Sequence, residues 1–272
     1  MIRLLILIIV FTSPAIVSAS SVDTVSIYSH SMHRNIKCVV IKPDTYKNKK
    51  NHYPVVYLLH GHSDYYWGWV TKVPDIKKYA DQLQIIIVNP DGGYNSWYFD
   101  SPIDSNSQYE THITKEVVGY TDAHYRTIAD RKHRAINGLS MGGHGAFYLA
   151  LLHPDLFGAI GSMSGGVDFR PFPDNWQIKE KIGDITTHAD EWNKRSIINM
   201  IEQCSRDSFA IIIDCGINDF FFSVNRQLHE KMIQLKIPHD FIQRPGQHDW
   251  PYWTNAIQYQ LVFFRKFFDK KL

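Results

Sequence analysis

The chain has 272 residues, 44% of them hydrophobic and 21% charged, and 29 Lys and Arg nearly balance 27 Asp and Glu for a formal net charge of +2. These are globular proportions: they exclude a disordered tail and a collagen-like rod, and they carry no basic footprint for nucleic acid. Three cysteines are too few to staple a fold of this length.

Residues 1–19 read as a secretory signal. Arg3 is the basic start, residues 4–11 are an unbroken apolar run, Pro14 ends it, and Val17-Ser18-Ala19 fits the small-residue cleavage pattern. The run is short for a membrane span. The expectation is therefore cleavage after Ala19, a secreted or periplasmic location without a stable span, and residues 20–272 as one domain. Cys38 is the first cysteine and lies well past the cleavage site, which argues against a lipid anchor. Cys38, Cys204 and Cys215 are expected as buried free thiols, with export leaving a disulfide open.

Continuous runs at 36–41, 55–59 and 85–88 suit strands buried on both faces, and 134–139, 157–163, 209–215 and 240–243 are further strand candidates. Helical segments at 108–125, 141–153, 221–236 and 252–268 alternate with them. In the first, Ile113, Val117, Val118 and Tyr120 recur at roughly helical spacing. This alternation predicts an α/β chain with a mostly parallel central sheet and helices on both faces. Residues 165–204 show no strand pattern and read as an insertion with short helices at 175–181 and 190–203. Residues 47–51 (Lys-Asn-Lys-Lys-Asn) form a solvated loop.

The strongest chemical signal is Gly138-Leu139-Ser140-Met141-Gly142-Gly143 between a strand and a small-residue helix. A nucleophile elbow needs small residues two before and two after its serine, because the turn is so sharp. Gly138 and Gly142 meet that demand, and Ser140 then stands at a helix N-terminus, where negative charge is favoured. A serine needs a base, and the base needs an orienting acid. The chain order of such a site is Ser, acid, His. His248, in Gly246-Gln247-His248-Asp249-Trp250 after the last strand, is the candidate base. Asp219, in the loop after strand 209–215, is the candidate acid, with a helix N-cap as its ordinary alternative. Asp214 is a rival inside the strand. The backbone N–H groups of His62 and Met141 are the candidate oxyanion donors, Gly61 letting the first loop bend inward. His60 and His62 have no third residue at metal-ligand spacing except Asp64, so no metal site is expected.

His60-Gly61, the Gly-Leu-Ser-Met-Gly-Gly elbow, Cys-Gly-Ile-Asn-Asp at 215–219 and Pro-Gly-Gln-His-Asp-Trp at 245–250 resemble the esterase D superfamily over about residues 35–270. That superfamily includes S-formylglutathione hydrolases, feruloyl and acetylxylan esterases and mycolyltransferases. The resemblance implies an α/β-hydrolase fold without metal or organic cofactor. Its nucleophile, acid and base map to Ser140, Asp219 and His248, and its oxyanion donors to His62 and Met141. Aromatic residues crowd the loops expected near the site. Trp97, Tyr98, Trp176 and Trp250 are candidates for substrate contact, since flat rings stack on sugars and phenolic acyl groups, although core packing explains many aromatics equally well.

The implied partner is a small-molecule or polysaccharide ester, with no nucleic acid and the oligomeric state open. Export disfavours a glutathione thioesterase and favours esters of plant cell-wall carbohydrate. An acyltransferase with a sugar acceptor is the nearest alternative. A silent binding protein is disfavoured because no expected catalytic residue is missing, and a prolyl-type peptidase because the length leaves no room for its extra domain.

Overall fold

The computed structural model describes residues 20–205 and 208–271, so the expected signal segment lies outside the described residues. Eight strands form one sheet: β1 (Ser21–Ser29), β2 (Arg34–Lys42), β3 (Val55–Leu59), β4 (Ile86–Pro90), β5 (Arg134–Gly138), β6 (Ala159–Met163), β7 (Ala210–Gly216) and β8 (Asp240–Arg244). Their order is β1-β2-β4-β3-β5-β6-β7-β8. The β1–β2 and β2–β4 pairs are antiparallel, and all others are parallel. This is the arrangement expected of an α/β-hydrolase fold.

β3, β4, β5 and β6 are buried at every position. Period-two alternation splits their side chains between two helical layers. Val55, Tyr57 and Leu59 pack with Ile113, Val117, Phe147 and Leu228. Val56 and Leu58 pack with Ile76, Ala80, Ile257 and Phe264. One layer therefore holds the helices Met141–Leu152 and Phe222–Gln234, and the other holds Ile76–Leu83 and Trp250–Phe268. β3 lies between β4 and β5, so the chain turns to opposite sides after β3. A crevice opens there beyond the carboxyl ends of the strands.

Several elements differ from expectation. β1 was not anticipated: it is an edge strand with only Ile27 and Ser29 buried, and its apolar residues follow no clean period. Its backbone ladder with β2, not its own pattern, makes it a strand. The helices Gly68–Lys72 and Ile76–Leu83 were also unforeseen. The expected helix 108–125 is divided into Tyr109–Thr111, a π-helical segment His112–Val117 and Val118–His124. The insertion carries Lys179–Ile182, Ala189–Arg195 and Ile197–Met200 and no strand among its described residues. No helix of the described residues is long and apolar enough to cross a membrane. Cys38, Cys204 and Cys215 are free thiols, the first and last of them buried.

Helix Met141–Leu152 buries ten of its residues, including His144. The His144 ring packs against Trp97, Phe99 and Phe169, and its Nε2 lies 2.8 Å from the Arg195 carbonyl oxygen. Burial lowers its pKa from 6.5 to about 4. The unfolded chain therefore binds this proton more readily than the folded one between those values. Stability is full above about pH 6.5 and falls as pH drops through the window, by about 3 kcal/mol in all. His144→Gln keeps a donor but does not titrate. Denaturant melts at pH 7 and pH 4.5 are expected to show a smaller acid loss in the variant, and equal losses would contradict the assignment.

Candidate active site

The elbow is built by close backbone approach. Ser140 connects β5 to helix Met141–Leu152 with φ 54° and ψ −117°, a region that L-residues rarely occupy. A Cβ on Gly138 would lie 2.4 Å from the Gly142 backbone, and one on Gly142 would lie 2.6 Å from the carbonyl oxygens of Leu59 and His60. The two glycines thus let the turn close and let the helix pack on the end of β3. Ser140 N–H donates to the Met163 carbonyl at 2.9 Å, which anchors the turn to β6.

Two loops beyond β7 and β8 bring the other expected residues to this serine. Ile217 N–H donates to the Arg244 carbonyl and Asn218 N–H to that of Gly246, each at 2.9 Å. A Cβ on Gly216 would meet Gly246 O at 2.5 Å, so the loops run almost in contact. His248 Nε2 lies 2.9 Å from Ser140 Oγ. Its Nδ1 lies 2.9 Å and 3.0 Å from the two oxygens of Asp219. The Asp219 carboxylate is fully buried and also accepts the Phe221 N–H at 2.8 Å, so it bonds the imidazole and the helix entrance together. Asp249, next to His248, caps helix Trp250–Phe268 by accepting from Tyr252 N–H. An imidazole with Nδ1–H donated to a carboxylate has a free Nε2 lone pair for a hydroxyl proton.

The rival Asp214 is used elsewhere. It is wholly buried, accepts from Tyr252 Oη–H and pairs with the Arg244 guanidinium. Burial pushes its carboxyl pKa up. This network ties β7, β8 and the last helix into a frame around the His248 loop.

The loop expected to supply an oxyanion donor follows β3. A Cβ on Gly61 would lie 2.6 Å from the Leu139 side chain and 3.5 Å from Ser140 Cβ, so this loop runs against the elbow. Among the described residues, neither His62 nor Met141 spends its backbone N–H on another backbone group. His60 is committed to structure: its Nε2 accepts the Gly92 N–H at 2.7 Å, and its Nδ1 is 2.8 Å from the Gly61 carbonyl. Burial lowers the His62 pKa, opposed by a contact with Gln177.

A cavity of about 270 Å³ opens over Ser140 and His248, walled by the His62–Asp64 loop, Trp176, Phe220, Trp250 and Trp253. Trp176 and Trp250 thus stand where substrate contact was expected. Trp97 and Tyr98 do not line it and are 1% and 0% exposed. Trp97 packs behind Trp176 and on Phe169, and Tyr98 donates its hydroxyl to the His60 carbonyl at 3.0 Å. Their loop turns inward because both residues adopt positive φ, a backbone choice that composition does not reveal. Phe220 escaped the sequence reading: its ring lies 4.1 Å from His248 and stacks on Trp176. Its one signal was adjacency to Asp219.

The family model for Esterase matches residues 29–264. The chain belongs to the Esterase family. Relatives that the chain resembles are named as esterases and as a mycolyltransferase. An esterase of Mycobacterium tuberculosis is 28% identical over 237 residues, spanning 77% of this chain and 51% of its own length. The chain thus covers about half the length of that relative. The acetyl esterase of Caldicellulosiruptor saccharolyticus is 23% identical over 252 residues, 86% of this chain and 94% of its own. Among solved structures, a ferulic acid esterase superposes with a TM-score of 0.79 at 31% identity, covering 92% of this chain and 99% of that one.

Proposed function

We propose that this chain is an exported serine carboxylic-ester hydrolase that works through Ser140, His248 and Asp219 on acetyl or feruloyl esters of carbohydrate. The observation that carries the reading is the hydrogen-bonded run from Ser140 Oγ through the imidazole to a buried carboxylate. His248 takes the Ser140 proton as Oγ attacks the ester carbonyl. The N–H groups of His62 and Met141 receive the developing oxyanion, a contribution of about 2.7–4 kcal/mol for each such donor. The imidazolium then protonates the leaving alcohol, and the acyl group stays on Oγ. Water, deprotonated by His248, attacks the acyl-enzyme and releases the acid and the free serine. Residues 1–19 act as the export signal, and the remainder as one catalytic domain.

The acyl and alcohol classes rest on family membership, on the aromatic cavity wall and on likeness to two relatives, an acetyl esterase and a ferulic acid esterase. A turnover panel of acetylated xylan, methyl ferulate and short- and medium-chain p-nitrophenyl esters tests them, run with and without a sugar acceptor. Acid release from the carbohydrate ester or the ferulate is the expected outcome. Acyl transfer to the sugar as the main product would replace hydrolase with acyltransferase, and turnover confined to medium-chain esters would remove the carbohydrate assignment.

A further inference from the structure

Three phenyl or indole rings pack on the His248 imidazole: Phe220 at 4.1 Å, Trp253 at 4.9 Å and Phe221 at 5.5 Å between centroids. Two of them are closed off. Phe221 is 0% exposed, and Trp253 is 6% exposed with its Nε1–H donated to Ser164 Oγ. Phe220 is 48% exposed and stands in the wall of the cavity over Ser140. The turn that holds the candidate acid also places this ring: the Asp219 carbonyl accepts the Phe222 N–H at 2.9 Å, and the Asp219 carboxylate the Phe221 N–H at 2.8 Å. Trp176 supports it by stacking at 5.5 Å. An exposed apolar ring means little by itself. Its place against the imidazole, inside a ligand cavity, gives it a role, because a ligand that covers it gains the free energy of burying apolar surface.

We infer that Phe220 is a specificity-determining contact for the alcohol half of the ester, covered by the C–H surface of a ring that the alcohol carries. The inference rests on the reading of Ser140 and His248 as nucleophile and base. The reaction itself assigns the side. Once Oγ has bonded to the carbonyl carbon, the C–O bond to the alcohol breaks as the imidazolium Nε2–H passes its proton to the leaving oxygen. That oxygen must come within hydrogen-bond reach of Nε2, so the carbons next to it lie beside the open ring that covers the imidazole. The carbonyl oxygen is drawn instead to the N–H groups of His62 and Met141, which follow β3 and β5. The Phe220 ring has no hydrogen-bonding group and selects by apolar surface and shape. A sugar ring presents enough C–H surface to cover it, whereas a methyl ester leaves it open.

The test uses three esters: monoacetylated methyl xyloside, methyl acetate and methyl ferulate. The first two share an acyl group, and the last two share an alcohol. Wild-type enzyme is expected to prefer the xyloside to methyl acetate in kcat/KM. Phe220→Ala is expected to lower that ratio by about tenfold, because it removes a ring's worth of apolar contact made in the transition state. Phe220→Leu keeps part of the contact and is expected to lower it less; it carries the test should the alanine variant fail to fold. The ratio of methyl ferulate to methyl acetate is expected to stay within about twofold of wild type in both variants. A change confined to the ferulate ratio would place Phe220 on the acyl side and overturn the inference. An equal loss on all three esters would also overturn it, making the ring a support of the imidazolium, as would a xyloside ratio that does not move. A wild-type protein inert to all three esters would sink the hydrolase reading, and this inference with it.

Discussion

Ser140→Ala is expected to lower kcat on p-nitrophenyl acetate by about 10⁴–10⁶, with the fold intact. The size follows from the geometry. Ser140 Oγ is the only side-chain hydroxyl bonded to His248 Nε2 among the described residues, so its loss removes covalent catalysis and leaves only the binding cavity and the backbone donors. Alanine loses a single oxygen at a position held by the backbone, since the turn depends on Gly138 and Gly142 and on the Ser140 N–H bond to Met163. Circular dichroism and melting temperature therefore report a folded variant. The double variant Ser140→Ala, His248→Ala is expected to fall little below the single one, because residues that act as a unit are strongly non-additive. Near wild-type turnover in purified Ser140→Ala would reject the nucleophile, and a fluorophosphonate probe that still labelled it would point to another serine.

Asp219→Asn is expected to lower kcat by about 10³–10⁴ while KM changes little. The carboxylate accepts from His248 Nδ1 and from the Phe221 N–H. An asparagine retains one oxygen, which continues to hold the Phe221 N–H at the start of helix Phe222–Gln234, so the loop keeps its shape. What it loses is charge opposite the imidazolium and the preference for the Nδ1–H tautomer. The expected signature is a kcat effect. A variant with raised KM and unchanged kcat would reassign Asp219 to substrate binding. A variant that loses stability in proportion to activity would reduce it to a helix cap.

Much of the fold was legible because buried parallel strands leave a local trace. β3 to β7 are short, largely buried and bounded by turn residues, and they and the half-exposed β8 agree with expectation to within about two residues at their ends. The elbow was legible for a steric reason, since only glycine fits at 138 and 142. Chain order points to Asp219 and His248, whose loops run side by side. β1 left no such trace, as an edge strand needs only one buried face and draws its bonds from β2. The helix over 109–124 was legible from its spacing, but its division by a π-helical segment was not, and the helices at 68–72 and 76–83 are too short for a period to stand out.

The sequence by itself therefore determined the alternation of strands and helices, the elbow and the order of the three chemical residues. These depend on local periodicity and on steric limits within a few residues. Tertiary structure alone decided which aromatic rings face the cavity. Trp97 and Trp176 look equivalent in the chain, yet one lies under the other. It also decided that Asp214 pairs with Arg244 and Tyr252, and that Asp64 keeps a buried oxygen without a partner. The physical reason is the same in each case. Whether a ring or a carboxylate is exposed, paired or left empty depends on neighbours that come from distant strands and loops, and their approach is set by the packing of the whole sheet.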